Sequence, residues 1–561
     1  MNWFKTKSDW LILLAILLVA SYLRLGRLGT PSFWVDELDF VYAAKSTIEK
    51  GEPLLNSGYE YPRSKLFTWS VIGAYRAFGI SEASSRLPAA IFGILTVVMI
   101  YVAGKGLFSR RTGLLAALFL ALSPFAIGWS RVSRMYTLFQ LLYLAGAYWI
   151  YRGFEKGEAG ALRTHGNAGE SSGLMLRLRG WLAAWGLQPA WLLLGSVTLL
   201  LSFTVHELAG LYALSFLIYL LLVGIAVLWA RKSTGASPVK YLVTLSAIVV
   251  LGGLAFATLS PLQAKVKEGL EFLPKWAEVS SAQNRTRLLD YLFSEEFVPL
   301  NGFFVIGSIL SIASARKAGV YLLMLLAAPV LLFTSVFSFQ KNSYIFHVYP
   351  ALVLLAAVAL DRLIEVETLA GRDGAIGRWL ESVCRRGWLP ALVTVLFLSW
   401  MPFTFWFRLA QSIPRQADGQ YNGAVFHDEW RQACEYVREH AQPDDVIVST
   451  LPLTVQYYAG RADYNLNWAN ADLAHKRNIV SPEGRFIDYY SGTPLIENRA
   501  ALQGLFEGHP RVWLIADNYR LGEAVYVPAD VRTLVQQMMT REFETRRKTV
   551  AVFSLKKETA S

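Results

Sequence analysis

Apolar residues along this chain come in long unbroken blocks, separated by short polar segments rich in Lys and Arg. Blocks of that length cross a bilayer as helices. They predict spans at Trp10–Leu25, Leu87–Phe108, Gly113–Trp129, Leu138–Tyr151, Trp191–Val205, Leu208–Trp229, Leu242–Leu259, Leu300–Ala313, Val320–Val336, Tyr344–Leu360 and Leu389–Phe407. The apolar stretch Leu66–Phe78 is the ambiguous one. Counting it as a span would put Arg110 and Arg111 outside and flip every later loop. Leaving it out puts Arg110/Arg111, Arg152–Arg179, Arg231/Lys232, Arg316/Lys317 and Arg362–Arg386 all on the inner face. Basic loops favour the cytoplasmic side, so Leu66–Phe78 is expected to be a helix lying on, or dipping into, the outer leaflet. The result is about eleven spans, N-terminus inside and C-terminus outside.

The pattern changes at Arg408. Glu429–His440 has amphipathic helix spacing, Asp445–Ser449 and Arg511–Ala516 read as buried strands, Val531–Arg541 as helix and Lys548–Leu555 as a closing strand. The expected architecture is a polytopic α-helical membrane protein with juxtamembrane helices, residues 1–407, followed by an extracytoplasmic α/β domain, residues 408–561. Four pieces face outward: a long first loop (26–86), Ser130–Tyr136, Ser260–Pro299 and everything after Phe407. Gly157–Gly173, on the inner side, is rich in Gly, Ala and Ser and reads as a flexible link.

Composition agrees with this picture. Of 561 residues 54% are hydrophobic and only 17% charged, with mean hydropathy +0.35. The net charge of +12 lies in interhelical connectors, which argues for orientation and against nucleic acid. Cys384 and Cys434 fall on opposite faces, so no disulfide is expected. No small-residue cleavage site precedes Tyr22-Leu23-Arg24, and the first apolar run reads as an uncleaved span. No phosphate-binding glycine loop, dinucleotide fingerprint, metalloprotease motif or Cys/His metal pattern is present.

What chemistry remains sits at the outer ends of the spans: Asp36, Glu37, Glu60 and Arg63 in the first loop, then Arg131, Arg134 and Tyr136, then His206-Glu207, then Lys341, Tyr344 and His347. Ionisable residues there usually face a wet cavity. Asp36 beside Trp34 could simply cap a helix, Arg131 and Arg134 could cap a helix end or reach bulk lipid phosphates, and His206-Glu207 could be a polar turn. Taken together, a carboxylate can take a proton from a hydroxyl acceptor. Arginines and a lysine can hold a phosphate leaving group. The set therefore fits transfer of a sugar from a polyprenyl-phosphate carrier to a hydroxyl.

The order of motifs resembles the GT-C glycosyltransferases, specifically the family 39 branch that holds the protein O-mannosyltransferases and the lipid A aminoarabinose transferases. The resemblance is carried by Trp34-Val-Asp36-Glu37, Glu60-Tyr61-Pro62, Ser85-Arg86-Leu-Pro88, Ser123-Pro124, Ser130-Arg131-x-x-Arg134-Met-Tyr136, His206 and Lys341-x-x-Tyr344 before Tyr349-Pro350. It implies Asp36 as catalytic base in an inverting displacement, with Arg131 and Arg134 facing the carrier phosphate and Glu60 holding the reacting groups. Asp36 and Glu37 are the catalytic pair expected; Glu60, Arg63, Arg131, Arg134, Tyr136, His206, Lys341 and Tyr344 are the expected substrate-binding set. The chain departs from the family in two places. Val132 and Ser133 stand where many relatives have an acidic residue, so Glu37 or Glu60 would have to substitute. The Ser260–Pro299 loop has no His, so the relatives' metal site is not carried over. No cofactor is therefore assigned, and a divalent metal is left open. No β-trefoil module is present, which disfavours a protein acceptor. The expected partners are a polyprenyl-phosphate sugar, a hydroxyl acceptor and membrane lipids, at a multi-pass site in the plasma (inner) membrane. A lipid-glycan transporter or flippase, or an envelope-assembly scaffold, is the alternative.

Overall fold

The computed structural model describes residues 6–155, 186–234, 239–258, 260, 263, 298–314, 316–336, 341–369, 420–421 and 424–556. Two compact units divide the chain. One comprises Met1–Tyr22, Phe92–Ala126 and Tyr136–Leu409; the other comprises Leu23–Ile91, Ile127–Met135 and Ala410–Ser561. Packing thus groups the first loop with the residues that follow the change in composition near Arg408.

The first unit is helical. Its elements come from α1 (Thr6–Leu25), α4 (Glu82–Leu107), α5 (Arg110–Leu122), α6 (Pro124–Ser130), α7 (Tyr136–Glu155), α8 (Pro189–Val205), α9 (Leu211–Thr234), α10 (Val239–Thr258), α11 (Val298–Ala313), α12 (Lys317–Val336), α13 (Ser343–Phe346) and α14 (Tyr349–Leu369). Ten of the eleven expected spans fall on these helices; Leu389–Phe407 lies outside the described residues, as do Gly157–Gly173, Cys384 and most of Ser260–Pro299. Among the described residues four helices are long and apolar enough to cross a membrane, or five if the α5–α6 pair counts as one. Large apolar side chains such as Leu193, Leu200, Trp229, Val250 and Ile309 are exposed on them, the surface that lipid covers in a membrane protein.

Gly113–Trp129 is not the straight span its hydropathy predicts. It breaks into α5 and α6, bent by 63°. Ser123 is extended (φ −63°, ψ 118°) because Pro124 excludes the helical conformation from the residue before it and offers no N–H. Helices α7 and α8 approach each other closely. A Cβ on Gly195 would come within 2.8 Å of the Ile150 backbone nitrogen, so glycine is what lets the two backbones approach.

Two acids of these helices are held by donors from neighbouring elements. Glu155, at the end of α7, accepts from Tyr219 Oη at 2.7 Å and Tyr241 Oη at 3.0 Å, and pairs with Lys317 Nζ at 3.1 Å. Asp361 on α14 accepts from Ser109 Oγ at 2.5 Å and Thr112 Oγ1 at 2.7 Å and pairs with Arg111 at 3.2 Å.

The second unit contains α2 (Glu37–Lys50), α3 (Lys65–Phe78) and a mixed five-stranded sheet. Its strands are β3 (Val446–Ser449), β4 (Tyr464–Asn465), β5 (Arg511–Asp517), β6 (Thr540–Glu544) and β7 (Val550–Lys556), in the order β4-β3-β5-β7-β6. A separate ribbon pairs β1 (Gln420–Tyr421) with β2 (Phe426–His427). β4, β3 and β5 are parallel, whereas β7 is antiparallel to both β5 and β6.

Strand period 2 sends alternate side chains to opposite faces. Val446, Val448, Val512 and Leu514 join one core with Leu502 and Phe506 of α18 (Arg499–Gly508) and with Val531, Leu534 and Val535 of α20 (Ala529–Met538). Ile447, Trp513 and Ile515 join the other with Trp430, Cys434 and Val437 of α15 (Trp430–His440) and Val455 of α16 (Pro452–Ala459). Both faces are therefore covered, as a sheet with fully apolar central strands requires. Two short helices, α17 (Trp468–Arg477) and α19 (Asn518–Gly522), complete the layer.

The first loop shares these cores. Val35 packs against the second, and Phe33, Leu38 and Val41 form a further cluster with Leu453, Tyr457 and Tyr458. The φ of +75° at Gly492 and the approach of Ser57 both require glycine there, since a Cβ would lie 2.9 Å from Ser57 Cα.

Candidate active site

α2 opens with acidic residues, Glu37 and Asp39 in its first turn, which suits the positive end of a helix dipole. Asp36 occupies the N-cap position (φ −72°, ψ −13°), yet its side chain makes no capping hydrogen bond. The first N–H groups of the helix bond to backbone instead, Glu37 N–H to Trp34 O at 2.9 Å and Leu38 N–H to Val35 O at 3.3 Å, while Glu37 Oε2 accepts the Trp34 N–H at 2.8 Å. The half-buried Asp36 carboxylate is thus spared from capping.

Glu37 is wholly buried and fully engaged. Arg86 reaches it twice, Nε to Oε1 at 2.8 Å and Nη2 to Oε2 at 2.9 Å, and Ser133 N–H donates to Oε1 at 2.7 Å. Burial works against the charge, but the Arg86 guanidinium and these hydrogen bonds prevail and hold the carboxyl below the ordinary glutamate range. Arg86 also donates to Leu28 O, Pro31 O and Ser32 O at 2.9–3.0 Å, so one guanidinium shapes the whole turn before Asp36.

Arg134 and Arg131 have different jobs. Arg134 Nη1 donates to Asp36 O at 2.5 Å and to Asp39 Oδ2 at 3.1 Å, and the guanidinium lies over the Phe40 ring at 5.2 Å. It is 3% exposed, so it does not reach out to bulk lipid. Arg131 donates to Leu23 O and Arg24 O at 3.0 and 3.1 Å and to Arg27 O at 3.2 Å, capping the carbonyl end of α1. Burial and the neighbouring Arg86 pull its pKa down to about 10. Among the described residues of this loop core, Arg24, Arg86, Arg131 and Arg134 are buried with two buried carboxylates, Glu37 and Asp39, so guanidiniums outnumber carboxylates.

The other expected residues of this unit lie at its edge. Glu60 is exposed and pairs with Lys65 at 3.1 Å; Arg63 is exposed, and its charge bears on the ionisation of Asp39 and Tyr61. In the helical unit Tyr136 and His206 come together, with ring centroids 6.0 Å apart. His206 stacks on Phe139 at 5.1 Å, and His347 lies 4.7 Å from the same ring. Lys341 is exposed, and Tyr344 stacks on Phe333 at 5.4 Å.

Sequence reasoning passed over three residues that the fold brings to Asp36 and Glu37. Arg86 belongs to the Ser85-Arg86-Leu-Pro88 motif, whose sequence alone assigns it no role. Asp39, one helical turn after Asp36, was legible as an i, i+3 neighbour. Burial pushes its carboxyl up to about 7, against the opposing pull of Arg134. His427 had no signal at all; its Nδ1 lies 2.8 Å from Ser32 O. Of these carboxylates, Asp39 is already paired with Arg134. Among the described residues no three His, Cys, Asp or Glu side chains cluster around a common point.

Residues 63–179 match the family described as dolichyl-phosphate-mannose-protein mannosyltransferase. A protein of Aquifex aeolicus, described as uncharacterized, is 26% identical over 155 residues, which span 27% of this chain and 30% of that relative. In fold, the chain is similar to ArnT from Cupriavidus metallidurans bound to undecaprenyl phosphate, with TM-score 0.56, 15% identity and 98% of each chain covered. It is also similar to the oligosaccharyltransferase AglB from Archaeoglobus fulgidus in complex with an inhibitory peptide and a dolichol-phosphate. That match has TM-score 0.58 and 12% identity, covering 98% of this chain and 74% of that one.

Proposed function

We propose that this chain, whose fold is that of the GT-C glycosyltransferases, transfers a sugar from a polyprenyl-phosphate donor to a hydroxyl acceptor at the outer face of the plasma membrane. The observation that carries the proposal is Asp36: a half-buried carboxylate at a helix N-cap whose side chain makes no capping hydrogen bond and whose backbone is held by Arg134. In this reading Asp36 takes the proton of the acceptor hydroxyl as its oxygen attacks the anomeric carbon. The bond from that carbon to the phosphate oxygen breaks on the opposite side, so configuration inverts. The electron pair leaves with the carrier phosphate, and the guanidinium-rich loop core stabilises its charge. Of the two arginines, Arg134 is assigned to the reacting groups and Arg131 to holding α1 and the field around the phosphate. Glu37 positions the loop.

Helix α3 supports the assignment of the outer face. Its buried side is Phe67, Val71, Ile72 and Tyr75, yet Leu66, Trp69 and Phe78 are exposed, giving apolar surface on the far side as well. At 14 residues it is too short to span, and such a helix suits the plane of a membrane surface. Cysteine at Glu52 should then be labelled from outside and cysteine at Arg110 only after permeabilisation. Outside labelling of both would overturn this orientation.

The activity is tested with Asp36→Asn in purified, folded protein. Loss of a general base costs on the order of 10²–10⁴ in rate, while binding of the carrier lipid should persist, because an amide removes negative charge near the phosphate. Transfer within a few-fold of wild type would end the base assignment. Failure of the wild-type protein to transfer sugar from any polyprenyl-phosphate donor would favour a carrier-lipid transporter or an assembly scaffold.

A further inference from the structure

We propose that His427, Arg431 and Tyr458, which lie close to four hundred residues beyond the first loop in sequence, are positioning residues for the transfer reaction, setting the Thr30–Glu37 turn that carries Asp36. The inference rests on the function proposed above and adds to it the task of the sheet-bearing segment.

Three residues converge on this turn. His427 Nδ1 lies 2.8 Å from Ser32 O, and because a carbonyl only accepts, the ring must carry its proton on Nδ1. Burial, reinforced by Arg86, draws the His427 pKa down to about 4, so the neutral ring is the working form at neutral pH. Arg431 donates from its backbone N–H to Ser32 Oγ at 3.3 Å, from Nη1 to Thr30 O at 3.2 Å and from Nη2 to Glu82 Oε1 at 2.6 Å. Tyr458 Oη accepts the Phe33 N–H at 2.8 Å and donates to Glu82 Oε1 at 3.1 Å.

Ser32 O is the joint. It takes His427 on one side and Arg86 Nη2, at 3.0 Å, on the other. Arg86 in turn grips Glu37, and Glu37 holds the Trp34 N–H that fixes the start of α2. Removing the His427 donor therefore loosens Arg86 and with it the geometry of Asp36, without touching either substrate. A displacement of about 1 Å in a reacting group can cost on the order of 10²-fold in rate.

The experiment compares His427→Leu, which deletes the donor, with His427→Asn, whose amide N–H can replace Nδ1–H, in the full-length protein. His427→Leu should lower kcat between about ten- and a hundredfold with both KM values within twofold. His427→Asn should recover most of that loss. Amide hydrogen exchange at Phe33, Trp34 and Glu37 should speed up in His427→Leu and return toward wild type in His427→Asn. Unchanged exchange in His427→Leu, or a kcat equal to wild type, overturns the proposal. So does a kcat loss that His427→Asn fails to restore, since that would mark mere packing. The exchange readout needs no turnover: if it responds but the wild-type protein transfers no sugar, the clamp stands and the enzymatic reading falls.

Discussion

Two carboxylate centres in this protein differ in what their buried donors leave over. At the end of α7, Glu155 gathers two tyrosine hydroxyls and Lys317 and is itself 3% exposed. Its neighbours come from three other helices, Tyr219 from α9, Tyr241 from α10 and Lys317 from α12, and the carboxylate is consumed in tying them together. At the start of α2 the acidic residues divide the labour. Glu37 is consumed like Glu155, by Arg86, Ser133 and Trp34, while Asp36 keeps a side chain that caps nothing. A carboxylate saturated with buried donors is a tie. A carboxylate whose neighbour has taken over the structural bonds is available for proton transfer.

The contrast can be broken in four ways. The largest effect is expected on rate: Asp36→Asn should lose on the order of 10²–10⁴ in kcat while its thermal midpoint in detergent stays at the wild-type value. A midpoint that falls in step with activity would place Asp36 among the ties. Next, Glu37→Ala leaves the Arg86 charge buried and uncompensated, a change that typically costs about 3–5 kcal/mol. Denaturation of that variant should be far easier than of Glu37→Leu combined with Arg86→Met, in which both charges go. Equal stabilities would show that the pair is not the anchor.

Glu155→Ala should cost less, about 1–3 kcal/mol from tyrosine hydroxyls left without their acceptor. The folded fraction should transfer sugar at a kcat within twofold of wild type. A specific loss of turnover would dissolve the distinction between the two centres.

The smallest effect concerns pH. The Asp39 carboxyl is raised in the folded state to about 7, so between the ordinary aspartate range and about 7 the folded protein binds more protons than the unfolded chain. Its contribution is fully present below the unfolded pKa and fades as pH rises through that window. Asp39→Asn should flatten that part of the stability profile. A variant with the wild-type slope would assign it to another group.

Much of the fold was readable in advance because it is written in local periods. Long apolar blocks can satisfy their backbone in lipid only as helices, and the α7, α8 and α9 segments follow them within a few residues. The runs Asp445–Ser449 and Arg511–Ala516 read as strands because β-branched and aromatic residues continue through them, and the strands observed are Val446–Ser449 and Arg511–Asp517. The bend at Pro124 was also written locally, but a smoothed hydropathy pattern hides one missing N–H.

The site was legible in part. Trp34, Asp36, Glu37 and Arg134 stood out as charges beside aromatic rings at the end of an apolar block. What each one does was decided only in three dimensions. Glu37 meets Arg86 from 49 residues away and Ser133 from 96, and the turn before it meets His427 across 395. The sequence by itself determined that two adjacent carboxylates would sit after the first span. Tertiary structure decided that the second is spent holding the loop and the first is left half-exposed. The reason is electrostatic: a carboxylate's charge and reactivity depend on the solvent it loses and the donors it gains. Those donors are assembled by packing, not by spacing along the chain.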